Sequence, residues 1–211
     1  MLSLFVLLAF LCVASAQVET KIPLAPNARA FHRGNLTSVT TVDFFIDLTC
    51  SSCLDEWPLL SQVYDAYKND VHFLYHLFPL PYHQQGFIVN KAAQVVNYFG
   101  PQDAVFDFFD VAFKNQAQIY NSATADKTYN DVVSLVEPWV TGLGITHNQY
   151  VDGMNSNTPV GSNIEMTARY FWKYTTLQGV FATPYFHIDG LEAGGLDTFA
   201  DWQAALDPLV A

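Results

Sequence analysis

The chain has 211 residues, 51% of them hydrophobic and 14% charged, with a formal net charge of −11. That many apolar residues supply a full core for one ordinary domain, or for a domain with a large insertion. An acidity of this size argues against nucleic acid and against an anionic membrane face, since both require a basic surface.

Residues 1–16 carry no charge, are apolar through Leu4 to Leu11 and finish Ala14-Ser15-Ala16 before Gln17, the pattern of a cleaved signal peptide. The apolar run is shorter than the ~20 residues of a spanning helix. Cys12 would leave with it, so the mature chain is expected to keep only Cys50 and Cys53, in a compartment where disulfides persist. The chain ends Pro208-Leu209-Val210-Ala211, without a KDEL-type signal, and the expected location is secreted or within the secretory-pathway lumen. Residues 17–37 are polar and proline-bearing and are expected to form an irregular lead-in, with order beginning near Ser38. They include the N-glycosylation sequon Asn35-Leu36-Thr37, a candidate glycan site before the first predicted strand.

Val39 to Ile46 is β-branched and aromatic and predicts a buried strand. Cys50-Ser51-Ser52-Cys53 follows after Asp47-Leu48-Thr49 and opens a helix, with Asp55 and Glu56 in its expected first turn and Trp57, Leu60, Tyr64 and Tyr67 at helical spacing. Val71 to Phe78 predicts a second strand, closed by Pro79-Leu80-Pro81. Ile88, Ala92, Val95, Val96 and Phe99 form one helical stripe, and Val105, Phe108, Phe109 and Ala112 form another. A further helix is expected from Asp126, and Ser162-Asn163-Ile164-Glu165 has capping-box spacing at the head of one more. Tyr185 to Ile188, the turn Asp189-Gly190, and Leu191 to Ala193 predict a hairpin. Asp197 is the expected cap of a last helix carrying Phe199, Trp202 and Leu206.

Two half-cystines three positions apart close too small a loop to remove much unfolded-state entropy, so a structural staple there would stabilise little. A reactive dithiol is the better reading of Cys50 and Cys53. A metal site is not expected: two thiolates need two further ligands, and the histidines at 32, 72, 76, 83, 147 and 187 show no paired ligand spacing.

The strand-CxxC-helix unit, Pro58 and the segment Val180-Phe181-Ala182-Thr183-Pro184-Tyr185-Phe186 entering a hairpin resemble the thioredoxin fold. The helices between the two halves resemble its DsbA-like branch. The resemblance implies an α/β, thioredoxin-like fold with a helical domain inserted between the CxxC half, 38–83, and the cis-proline half, 179–211, the insertion being 84–178. It implies a thiol-disulfide oxidoreductase in which Cys50 is the nucleophile and Cys53 resolves, with Thr183-Pro184 as a cis peptide facing them on the substrate side. It implies no cofactor beyond the redox pair. The implied partners are client proteins with thiols or disulfides and an unidentified redox partner, with no nucleic acid and no membrane. A thiolate at a helix N-terminus fits this assignment, because unpaired backbone N–H groups lower its pKa.

The chain departs from the family pattern where thioredoxins carry a buried acid. Phe44 takes that place, and Asp43 falls on the opposite strand face. Ser51 and Ser52 replace the familiar dipeptides, and their hydroxyls are candidate donors to the thiolate. Asp47, Asp55 and Glu56 are expected to oppose its ionisation. The Cys50 pKa is therefore expected above the ~3.5 of the strongest oxidants. His83, after the Pro-Leu-Pro segment, is a candidate tuning residue at the rim of the insertion. The alternatives are a non-catalytic secreted binding module with a structural disulfide, and a glutathione-dependent DsbA-like relative acting on small molecules.

Overall fold

The protein is described by a computed structural model over residues 22–25, 28–101 and 103–210. The stretch read as a signal peptide lies outside the described residues. Five strands are present among the described residues: β1 (Phe31–Gly34), β2 (Thr41–Ile46), β3 (His72–Leu77), β4 (Tyr185–Ile188) and β5 (Leu191–Glu192), in the spatial order β1-β3-β2-β4-β5. β2 and β3 are parallel, joined through α1 (Ser51–Tyr67), while β1 and β4 flank them antiparallel. Between β3 and β4 come α2 (Gly86–Phe99), α3 (Ala104–Asn115), a 3-10 turn over Gln116–Ile119, α4 (Tyr129–Thr141), α5 (His147–Met154) and α6 (Pro159–Leu177); α7 (Phe199–Val210) closes the chain. This is a thioredoxin-like sheet with a helical insertion.

The β2 side chains explain the layering. Val42, Phe44 and Ile46 are fully buried on one face, where Phe44 meets Phe73, Tyr75, Phe186 and Trp202 of α7. Trp57 of α1 packs there against Tyr75, Phe109 and Phe113. The phenylalanines 106, 108, 109 and 113 are all core. The opposite face is more polar: His76 donates through Nδ1 to the Arg29 carbonyl at 2.8 Å, has its Nε2 2.7 Å from Asp43 Oδ1, and stacks on Phe45 and Tyr174. Fully buried Lys91 of α2 fastens the insertion, reaching the Met154 carbonyl at 3.1 Å, Ser156 Oγ at 2.6 Å and Glu165 Oε2 at 3.1 Å.

Several boundaries differ from the sequence reading. Order begins before Ser38, because β1 pairs with β3 and its Phe31 is wedged between Phe109 and Phe171. Gly34 ends that strand at φ +82, where a Cβ would lie 2.5 Å from the Val71 carbonyl oxygen. Asn35 therefore follows the first strand. Val39 is exposed and outside β2. Asp55 and Glu56 fall in the second turn of α1, since the helix begins only at Ser51. α4 starts at Tyr129, where Thr128 and Asp131 cap each other reciprocally, rather than at Asp126. Thr158 caps α6 with Pro159 in its first turn, so Ser162 is already helical and Glu165 is occupied with Lys91, Ser156 and Arg169. Thr198, bonded reciprocally to Asp201, takes the capping position assigned to Asp197. The hairpin turn has positive φ at Asp189 (50°) and Gly190 (78°), the geometry favoured between twisted strands.

Candidate functional site

β2 delivers the chain to Asp47-Leu48-Thr49, and Cys50 is the N-cap residue of α1, with extended backbone at φ −86 and ψ 124. Its sulfur therefore sits at the helix end that presents unpaired N–H groups. Both cysteines are free thiols, buried, with Cys53 at 0% exposure. The Cys50 thiol donates to the Thr183 carbonyl oxygen at 3.4 Å, and the Thr183-Pro184 peptide is cis. The structure thus brings together Cys50, Cys53 and the Thr183-Pro184 segment, Cys50 and Thr183 being 133 positions apart in the chain. The Thr183 hydroxyl is buried beside the sulfur pair and lowers the pKa of both thiols.

The two thiols are electrostatically unlike. The Cys53 thiol, donating to the Cys50 sulfur, lowers the Cys50 pKa from 9.0 to about 5; burial opposes this, while Thr183 and the backbone N–H groups of Cys53 and Ser52 assist. Cys53 is pushed well above its ordinary value by burial first, and then by the bond and the charge of Cys50. The Asp47 N–H donates to Cys53 Sγ at 3.4 Å. Two expectations are corrected here. The serine contribution runs through the Ser52 backbone, because neither hydroxyl reaches a thiolate from its exposed position. The main opposition to ionisation comes from burial, ahead of the charges of Asp47, Asp55 and Glu56. Phe44 in the acid position is pure core, and Asp43 is taken up by His76.

Asp47 has another occupation. Its carboxylate is buried and collects four donors: Thr49 N–H at 2.8 Å, the Thr49 hydroxyl, Leu80 N–H at 2.9 Å and His83 Nδ1 at 2.6 Å. It ties the loop before Cys50 to the β3–α2 connection. His83 has a raised pKa, chiefly through this bond and against its burial, with further support from the charges of Asp47 and Cys50.

Gln116 was not singled out by sequence. It lies in the 3-10 turn of the insertion, is fully buried, and donates through Nε2 to the carbonyls of Leu48 at 3.0 Å and Cys50 at 2.9 Å, while its Oε1 accepts from Tyr120 OH at 2.6 Å. A buried glutamine bonded to the backbone of the cysteine loop is visible only once the fold joins residues 66 positions apart. Beside the cysteines, Phe181 is 76% exposed and touches Tyr185 edge-on. Asn35 sits half-buried in the β1–β2 connection, its Nδ2 donating to the Asn69 carbonyl and its Oδ1 accepting from Thr37. Among the described residues, no group of three or more His, Cys, Asp and Glu side chains is placed to hold a metal ion.

A family model described as thioredoxin matches residues 27–208. No curated protein matches the chain. Among solved structures, the chain is similar to a putative protein-disulfide isomerase from Pseudomonas syringae, at 17% identity and TM-score 0.70, covering 85% of this chain and 99% of that one. It is similar to the thiol-disulfide exchange protein alpha-DsbA2 from Wolbachia pipientis, at 19% identity and TM-score 0.64, covering 85% and 87%. It is also similar to MdbA, a thiol-disulfide oxidoreductase from Actinomyces oris, at 17% identity and TM-score 0.62, covering 88% and 85%. At these identities the likeness establishes the shared fold, a thioredoxin sheet interrupted by a helical insertion.

Proposed function

The chain belongs to the thioredoxin family, and we propose that it is a thiol-disulfide oxidoreductase acting on protein thiols and disulfides through Cys50 and Cys53. The observation that carries this reading is the asymmetry of the pair: one sulfur lowered to about 5 at a helix N-terminus, the other buried and raised.

In the oxidising direction a client thiolate attacks Cys50 of the Cys50–Cys53 disulfide. The client–Cys50 bond forms, the internal bond breaks, and the electron pair leaves on Cys53, whose raised pKa favours taking up a proton. A second client thiolate then attacks the client sulfur and expels Cys50 as a thiolate, a good leaving group because its pKa is low. In the reducing direction the Cys50 thiolate attacks a client disulfide and Cys53, after losing its proton, releases the reduced client.

The segment from β5 to Ala193 bonds β4 no further back than the Phe186 carbonyl, so the backbone from Phe181 to Pro184 runs on past it. An extended client segment pairing there would lie beside Cys50. A secreted or lumenal setting accords with the charge-free N-terminal run and with a cysteine complement reduced to this pair. A glycan on Asn35 Nδ2 is compatible with the fold, since the substituted nitrogen keeps one N–H for the Asn69 carbonyl.

The test is trapping. Cys53→Ser is expected to accumulate mixed disulfides with reduced, unfolded client protein after oxidation with a small disulfide, and Cys50→Ser to accumulate none. Equal trapping by both variants, or client binding without exchange in the wild type, would overturn the reading in favour of a binding module. A glutathione-dependent activity surviving loss of both cysteines would assign the small-molecule class instead.

A further inference from the structure

No imidazole lies between the two cysteines, yet one reaches the site from another element. His83, in the β3–α2 connection, bonds Asp47 Oδ2 at 2.6 Å, and Asp47 in turn holds the N–H and hydroxyl of Thr49, the residue before Cys50. The His83 ring also lines a cavity of about 460 Å³ whose walls include Thr49 and Ser51, the two neighbours of Cys50, together with Ile119 and Tyr120. Of the four donors on Asp47, two are backbone amides and one is a hydroxyl; His83 is the one that can gain or lose a charge.

We propose that Asp47 and His83 act as a charge-switching unit beside Cys50, so that the redox state of the cysteine pair and the protonation of this single imidazole are linked. With a neutral ring the unit carries −1 next to the cysteine loop, and with a protonated ring it carries zero. Protonation thus removes a repulsion that the buried carboxylate would otherwise exert on the thiolate. Linkage is reciprocal: a Cys50 thiolate holds the proton on His83, and conversion of Cys50 to a disulfide loosens it. The raised His83 pKa, with Asp47 its largest cause and Cys50 a contributor, accords with this arrangement.

Arginine, lysine and tyrosine side chains face His83 from the neighbouring elements. Arg169 and Lys173 of α6 stand across a second cavity of about 520 Å³, Tyr82 meets the ring edge-on, and Tyr120 shares the first cavity. His83 is a positioning residue in this scheme, acting through electrostatics and touching no client.

The inference rests on the proposed redox pair, and the experiment separates the two. The full chain is equilibrated in a glutathione buffer and the His83 ring is titrated by NMR in the reduced and oxidised forms. Oxidation forms the Cys50–Cys53 bond, breaks the glutathione disulfide and delivers two electrons and the Cys53 proton to the glutathione sulfurs. The imidazolium proton is then held by Asp47 without the thiolate. The expected result is a His83 midpoint lower by about half a pH unit or more in the oxidised form. His83→Gln is expected to raise the Cys50 alkylation midpoint by about half a pH unit and to cut its alkylation rate near about pH 4, below that midpoint, by about three-fold, and His83→Lys to restore the rate without the imidazole's pH step. Identical His83 midpoints in the two redox forms, or an unchanged Cys50 midpoint in His83→Gln, would overturn this inference alone. A pair that forms no disulfide in the buffer would overturn the redox reading and this inference with it.

Discussion

Cys50→Ser in the reduced protein should change stability in a way that depends on pH. The folded pKa of Cys50, about 5, lies below the 9.0 of an ordinary thiol. Ionisation therefore favours the folded state: the contribution is complete above pH 9, declines as pH falls, and is gone below pH 5. At about pH 7 the two unit steps above the folded value amount to about 2.7 kcal/mol at ~1.36 kcal/mol each. The sulfur lies just beneath the surface, and solvent screening brings the expected effect down to about 1–2 kcal/mol. Urea denaturation of wild type and Cys50→Ser in a non-thiol reductant measures it, at about pH 7 and about pH 4.5, with the difference between variants as the readout. Wild type should gain about 1–2 kcal/mol on the variant between the acid and the neutral condition. A difference that stays constant across that interval would refute the claim that the fold lowers this thiol's pKa.

Three further outcomes follow from buried contacts. Gln116→Ala should cost about 2–4 kcal/mol, because the carbonyls of Leu48 and Cys50 and the hydroxyl of Tyr120 lose their buried partner; a loss under about 0.5 kcal/mol in urea denaturation would contradict the pinning role. Glu165→Gln should cost about 2–4 kcal/mol by leaving the buried ammonium of Lys91 without its counter-charge, and a variant as stable as wild type by thermal melting would show that Met154 and Ser156 suffice. Phe44→Ala, at a fully buried position ringed by Phe73, Tyr75, Phe186 and Trp202, should cost about 3–5 kcal/mol in the same assay, and retention of wild-type stability would contradict its place in the core.

What the sequence makes legible here is local. The run Val42 to Ile46, the helical stripes and the Asp189-Gly190 turn each write their structure in a few neighbouring residues. β1 does not: Phe31-His32-Arg33-Gly34 has no β-branched residue, and it is a strand because Phe31 docks on Phe109 and Phe171 while β3 supplies the ladder. Helix starts slipped by a few residues wherever two polar candidates compete, as Asp197 does with Thr198, since either side chain suits a cap and tertiary packing chooses. The cysteine pair and Thr183-Pro184 were legible through the resemblance. The Asp47–His83 bond is not legible, because its partners are 36 positions apart and only the β3–α2 connection turns one toward the other. The partners of Asp47 are hidden for the same reason: in the fold its carboxylate is met by four donors, of which His83 alone can offset its charge.

The pH profile of Cys50 alkylation in the reduced protein tests the central claim most directly. Modification by iodoacetamide, followed by mass spectrometry at each cysteine, should give Cys50 a midpoint of about 5, with Cys53 unreactive through neutral pH. A Cys50 midpoint near the ordinary 9.0, or Cys53 reacting first, would contradict the assignment of Cys50 as the nucleophile.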